Sequence, residues 1–188
     1  MGNHVKTEPL STVYTYEAYP LGTEFVESAD EVEANLTGVS TSVTAAKWLG
    51  KGPRTWVFVK AETVATAGQL QEWRFATLTD DGTGSSVTGK ALAFHCGQCD
   101  ANALAPHLIA GVADHTIAAS SYGWIIKKGI CFVEASGSVV DGCMLDADGS
   151  TAGGHVEIAA AATNTIGYAL EDKDKTVAEY ATIYLSLP

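Results

Sequence analysis

The stretch LIAGVADHTIAASSYGWIIKKGICFVEASGSVVDGCML, residues 108–145, decides the fold class of this chain. Short apolar runs alternate in it with Gly, Ser, Asp and a Lys-Lys-Gly triplet, a punctuation typical of short β-strands joined by tight turns. Successive side chains of an extended chain point to opposite faces, so Tyr122, Trp124 and Ile126 are expected to share one face of a strand. The stretch therefore predicts a β-meander.

A hairpin is predicted in the middle of this stretch. Lys128-Gly129 is expected to turn the chain, because glycine supplies the positive φ that a tight turn needs. Residues 130–133 would then return as a second strand, with Gly137 and Gly142 marking the turns that follow.

The same alternation continues on both sides. Residues 30–36 could form a strand or a single helical turn, and the alternation of Val32, Ala34 and Leu36 favours a strand. No window combines a sustained 3.6-residue apolar period with caps at both ends, so at most one or two short helices are expected. An all-β protein is predicted, with further strands at residues 23–26, 55–60, 71–78, 87–94, 154–160, 165–170 and 175–187.

Pro20 divides the chain into an extended N-terminal arm, residues 1–20, and a single β-rich domain, residues 21–188. The arm is polar, threonine-rich and aromatic, with too few apolar residues to fold alone, so it would be ordered by lying on another surface. A frayed terminus is the alternative. If the arm docks, its partner contacts are predicted at Val13, Tyr14, Tyr16 and Tyr19.

Composition narrows the possible partners. Hydrophobic residues make up 46% of the chain and charged residues 18%, a balance more typical of an assembly-forming protein than of a highly solvated enzyme. With 22 acidic and 11 basic residues the formal net charge is −11, so nucleic acid and anionic lipid are not expected partners. No apolar run is long enough to span a membrane. The N-terminus lacks the apolar centre of a signal peptide, which predicts a protein that stays in the compartment where it is made.

Cys96 and Cys99 have the CxxC spacing of a zinc knuckle or a redox pair. A tetrahedral zinc site needs two more ligands, and Cys131 and Cys143 do not form a second CxxC. A metal site and a disulfide both remain possible alternatives. Free thiols are expected first, because the sequence shows no secretory signal. No cofactor is expected.

No catalytic motif accompanies these cysteines, and the protein is not expected to be an enzyme. The five histidines are scattered, and the glycine-rich residues 82–86 do not have the Gly-x-Ser-x-Gly frame of a nucleophile elbow. Trp48, Trp56, Trp73 and Trp124 are first interpreted as core residues, although one exposed tryptophan could anchor a contact.

The order of several short motifs resembles the decoration, or cement, proteins of tailed-phage capsids. The resemblance covers roughly the second half of the chain, and the Cys96/Cys99 pair is not part of it. Its motifs are Ala110-Gly111-Val112-Ala113, Thr116-Ile117-Ala118-Ala119, Tyr122-Gly123-Trp124-Ile125, Lys128-Gly129, Gly137-Ser138-Val139-Val140-Asp141-Gly142 and Ile166-Gly167-Tyr168-Ala169-Leu170.

This resemblance implies a small β-barrel or tulip-like domain on the outside of an icosahedral shell, where it joins neighbouring major capsid protein subunits, commonly as a trimer. The protein would be made in the host cytoplasm and would reside on the virion exterior. Two alternatives are kept. One is a β-sandwich module that recognises a glycan or host surface through exposed tryptophan and tyrosine; the other is a zinc or redox protein that uses Cys96 and Cys99.

Overall fold

The structure is a computed structural model that describes residues 9–31, 52–79, 86–99, 106–148, 154–159, 164–173 and 180–188. Extended segments dominate it, and a 3₁₀ turn at Pro106–Leu108 precedes the fifth strand. The all-β prediction is confirmed. The strands are β1 (Glu24–Glu27), β2 (Arg54–Ala61), β3 (Leu70–Thr79), β4 (Ser86–Gln98), β5 (Ile109–Val112), β6 (Tyr122–Glu134), β7 (Met144–Asp148), β8 (His155–Ile158), β9 (Gly167–Ala169) and β10 (Tyr180–Ser186).

Five of these strands close into a barrel. β2, β4, β3, β5 and β6 are hydrogen-bonded in that order, and β6 pairs back onto β2. The β2–β4 pair is parallel and the other four pairs are antiparallel. So few strands leave an interior that side chains fill completely. Small and branched residues fill it here, among them Val57, Val59, Ala61, Cys96, Ala110 and Ile125.

The long strand β6 belongs to two parts of the molecule. Its first half pairs with β2 of the barrel and its second half, from Lys128 to Glu134, pairs with β10. The hairpin predicted at Lys128-Gly129 is therefore wrong. Gly129 does have a positive φ, 110°, but a Cβ there would lie 2.6 Å from the Pro53 carbonyl oxygen. The glycine lets the backbone bend past that carbonyl without reversing the chain.

β10, β9, β7 and β8 continue the sheet outward from β6, and we call these four strands the extension. One face of the extension is buried in the larger of two hydrophobic clusters. That face contributes Leu145, Val156, Ala169, Ile183 and Leu185, and Cys131 of the neighbouring β6 belongs to the same cluster. Because neighbouring side chains of a strand alternate, the remaining residues of these strands form a second face.

The N-terminal segment packs on the outside of the barrel of its own chain. Tyr14 and Tyr122 exchange two backbone hydrogen bonds of 2.9 and 2.8 Å, and β1 then pairs with β2. Phe58 lies at the centre of this contact. Its ring centroid is 5.8 Å from that of Tyr14, 5.3 Å from that of Tyr19 and 5.2 Å from that of Trp124.

A helical turn at residues 29–31 follows β1. The Ser28 hydroxyl accepts a 3.3 Å hydrogen bond from the Glu31 backbone N–H, and the Glu31 carboxylate accepts a 2.8 Å bond from the Ser28 N–H, which is a capping box. The Ser28 hydroxyl also donates a 2.8 Å hydrogen bond to the Glu31 carboxylate, and the backbone and hydroxyl hydrogen bonds from Ser28 lower the pKa of Glu31. The strand predicted over residues 30–36 is thus wrong at its start, and residues 32–36 lie outside the described part.

Candidate docking surface on the extension

Four side chains in direct register form a row across β6, β10, β9 and β7. Ile130 pairs with Tyr184, Tyr184 with Tyr168, and Tyr168 with Met144. Residues directly opposite each other in a sheet project from the same face, so all four side chains lie together. Neighbouring strands are about 4.8 Å apart, which makes the row about 14 Å long. We call it the tyrosine row.

The tyrosine row is open to solvent although it is apolar. Tyr184, Tyr168 and Met144 are 37%, 46% and 39% exposed, whereas Ile130 is buried. An antiparallel sheet with one face in the core usually presents polar side chains on the other. At about 200 Å² per large side chain, the three exposed residues offer on the order of 250 Å². A strip of this size is within the range of apolar patches that ordinary monomers expose, and such patches often serve as docking surfaces.

Polar residues border the tyrosine row on one side. Lys128 and Ser186 are register partners, lie two residues from Ile130 and Tyr184, and are both exposed. On the other side, Phe132 pairs with Thr182. The Thr182 N–H and hydroxyl donate hydrogen bonds of 2.9 and 2.7 Å to the buried Glu171 carboxylate. Because Thr182 is buried and Phe132 is half-buried, the exposed polar border of the tyrosine row is formed by Lys128 and Ser186. A polar border beside an apolar centre is a usual feature of protein–protein interfaces.

The four predicted contact residues of the arm do not lie on the tyrosine row. Tyr14 is buried against Phe58 of its own chain, and Tyr19 is half-buried in the same aromatic cluster. Tyr16 is 66% exposed and Val13 is 38% exposed. The structure thus places two of the four side chains where a partner could reach them, and their contact role stays a prediction.

The tryptophans are mostly internal. Trp56 and Trp124 are buried, and Trp73 is half-buried with its ring against Phe94, 5.7 Å between centroids. Trp48 lies outside the described residues. The Trp56 indole N–H donates a 3.0 Å hydrogen bond to Glu27, which is buried and also lies 3.7 Å from Arg54. For Trp56 and Trp124 the core interpretation is confirmed.

A polar cluster lies where β2 and β4 run parallel. Glu62 Oε1 is 3.1 Å from Lys60 Nζ and 2.6 Å from His95 Nδ1. The hydrogen bond from Lys60, helped by the contact with His95, lowers the pKa of Glu62 despite its partial burial. Since Lys60 and His95 are register partners, this cluster joins the two strands at the parallel seam of the barrel.

The cysteines are distributed over the core. Cys96, Cys99 and Cys131 are buried, and Cys143 is half-buried. Burial raises the pKa of both the Cys96 thiol and the Cys131 thiol to about 12. Nucleophilic or metal-binding cysteines react as thiolates, so neither thiol is activated in this fold. Among the described residues, no group of three His, Cys, Asp or Glu side chains is placed to hold a metal ion.

The sequence analysis missed the tyrosine row. Tyr180, Thr182 and Tyr184 have one parity in the last strand, which indicates a shared face but not whether that face is exposed. Tyr168 occurs in a short motif with no visible link to Met144. These residues are brought together by the register of four strands. A single sequence does not reveal the pairing register of strands that are far apart in the chain.

No family model matches the sequence, and neither does any curated protein. One similar solved structure is the N base of the head fiber gp8.5 of bacteriophage phi29, at 15% sequence identity and a TM-score of 0.48. The match covers 70% of this chain and 92% of that one. In the described residues, no helix has the length and apolarity to cross a membrane.

Proposed function

We propose that this protein is a structural virion protein that binds the outer surface of a phage capsid and stabilises contacts between major capsid protein subunits. The observation that carries the proposal is the tyrosine row, an exposed apolar strip on a sheet whose other face is the core. An exposed strip that carries two tyrosine rings and a methionine suits adhesion to another protein surface. The protein acts as a homo-oligomer, with a trimer as the favoured form.

The tyrosine row is small, so it suits a contact that is repeated many times on a shell better than a single contact between two proteins. Burying about 250 Å² of apolar surface at about 25 cal/mol per Å² gives roughly 6 kcal/mol before costs. Association and side-chain ordering remove much of this gain. One contact is therefore modest, and repetition over many copies on a shell makes the total large.

The charge of the chain supports the outside of the shell over the inside. A net charge of −11 repels packaged DNA, so an exterior position avoids a repulsion that an interior position would incur. The resemblance of the motifs in residues 110–142 and 166–170 to phage decoration proteins favours the same position.

The test is binding to purified expanded capsids of the phage that encodes this chain, measured by co-sedimentation and by the capsid melting temperature. The wild-type protein is expected to bind and to raise that temperature. A Tyr168→Thr/Tyr184→Thr double variant keeps strand-forming residues but loses both rings, and we expect about 100-fold weaker binding. Val26→Thr, at a residue 61% exposed on β1, is the matched control and should bind like wild type.

Two results would contradict the proposal in different ways. Failure of the wild-type protein to bind any form of the capsid would refute the capsid function. Equal binding by the double variant and the Val26→Thr control would show that the tyrosine row is not the docking surface. Light scattering of the free protein tests the trimer directly.

A further inference from the structure

Lys128 differs from the other basic residues in its ion pairing. The structure describes the side chains of six basic residues, and five of them lie within 4.0 Å of a carboxylate: Arg54 with Glu27, Lys60 with Glu62, Arg74 with Glu72, Lys127 with Glu24 and Lys173 with Glu171. Lys128, the sixth, is exposed and forms no ion pair in the described part of the chain. Carboxylates outnumber basic groups among the described residues as well, and none of those carboxylates pairs with Lys128.

The position of Lys128 is the border of the tyrosine row. Lys128 precedes Ile130 by two residues on β6, and its partner Ser186 follows Tyr184 by two residues on β10. Two residues along a strand return to the same face after about 7 Å. The preceding residue, Lys127, is instead directed at Glu24 of β1, with Nζ 3.1 Å from Oε1. The two adjacent lysines therefore have different surroundings, one paired within the chain and one beside the apolar strip.

We infer that the shell surface bound by the tyrosine row carries a carboxylate opposite Lys128, about 7 Å from an apolar strip about 14 Å long. This inference rests on the proposed function and specifies the chemistry of the partner. An exposed lysine at the rim of an interface gains most from a carboxylate that arrives with the partner. The apolar row supplies affinity, while the lysine fixes the direction in which the partner lies along it.

The charge of the chain excludes polyanionic occupants of this surface. A single lysine in a chain of net charge −11 does not attract a nucleic acid or an anionic membrane, each of which needs several cations in one area. A protein surface with one placed carboxylate needs only Lys128. The partner is therefore a protein of mixed surface character.

Charge reversal at the two adjacent lysines tests the inference. Lys128→Glu is expected to weaken binding to purified expanded capsids at least 10-fold and to remove the weakening of wild-type binding by added salt. Lys127→Glu reverses the same charge at the neighbouring residue and should change binding less than 3-fold. Lys128→Gln, which removes the charge without reversing it, should fall between wild type and Lys128→Glu.

The outcomes separate this inference from the proposed function. If wild-type protein binds capsids and Lys128→Glu binds equally well, the carboxylate is absent and the inference is overturned while the capsid function stands. If Lys128→Glu dissociates the free oligomer and leaves capsid binding unchanged, the occupant of the row is a second copy of this chain, which also overturns it. Absence of wild-type binding overturns both.

Discussion

Replacing Phe58 by alanine should separate the N-terminal segment from the barrel. Phe58 is fully buried, and its ring contacts those of Tyr14, Tyr19, Tyr122 and Trp124. Truncating a buried phenylalanine costs about 3–5 kcal/mol of unfolding free energy. For a domain of this length, that loss lowers the melting temperature by roughly 6–20 °C.

Urea denaturation followed by tryptophan fluorescence measures the Phe58→Ala effect. The backbone bridge between Tyr14 and Tyr122 gives a local readout, because hydrogen exchange at both amides should accelerate as the segment loosens. Tyr16→Ala is the control. Tyr16 is 66% exposed and its ring contacts that of Tyr14 at the edge of the cluster, so its loss should cost less than about 1 kcal/mol. A cost below about 1 kcal/mol for Phe58→Ala would refute the view that this ring anchors the segment.

Three further predictions concern buried groups. The Cys96 and Cys131 thiols keep their protons up to a pKa of about 12 in the folded state, whereas unfolded thiols ionise near pH 9. The contribution of these two thiols to the free energy of unfolding is therefore fully present below pH 9 and is lost as the pH rises toward 12, by about 1.4 kcal/mol per thiol at pH 10. The Cys96→Ala and Cys131→Ala variants should show a smaller change in unfolding free energy between urea titrations at pH 8 and at pH 10. Glu27→Ala removes one of the two carboxylates beside the buried Arg54, which keeps Asp114 at 3.8 Å, and also removes the acceptor of the Trp56 indole N–H. It should cost about 2 kcal/mol by thermal denaturation, against almost nothing for the exposed Glu24→Ala. Gly154→Ala should cost at least about 1–2 kcal/mol in the same assay, because φ there is +66° and a Cβ would lie 2.4 Å from the Leu70 carbonyl oxygen.

The strands could be predicted because their signal is local. Residues 55–60, dense in β-branched and aromatic side chains, became the central part of β2 with both faces buried, and residues 71–78 became most of β3. The failure at Lys128-Gly129 has a physical explanation. A glycine with positive φ serves equally in a hairpin turn and in a strand that must pass a neighbouring carbonyl, and only the position of Pro53 decides between them.

The docking surface could not be predicted for a related reason. Tyr168 and Tyr184 become neighbours only through the pairing of β9 with β10, and Met144 joins them through β7. Neither pairing follows from the periodicity of any one strand. For the arm, sequence reasoning recognised that Tyr14 and Tyr19 need a surface to lie on. It had no means of recognising that the Phe58 and Trp124 rings of the same chain provide one.

β6 pairs with strands of the barrel and also with β10 of the extension, and this double pairing determines how the protein resists a pulling force. β6 and β10 are joined by seven consecutive residue pairs, and β6 also belongs to the closed barrel, which has no free edge. A pull on Tyr184 along the strand direction loads those pairs together in shear, whereas a pull on the short β9, with three pairs to β10, loads few. When a single molecule is pulled by force applied to the residues of the tyrosine row, we expect β9 and β7 to detach first, while β6 and the barrel stay intact.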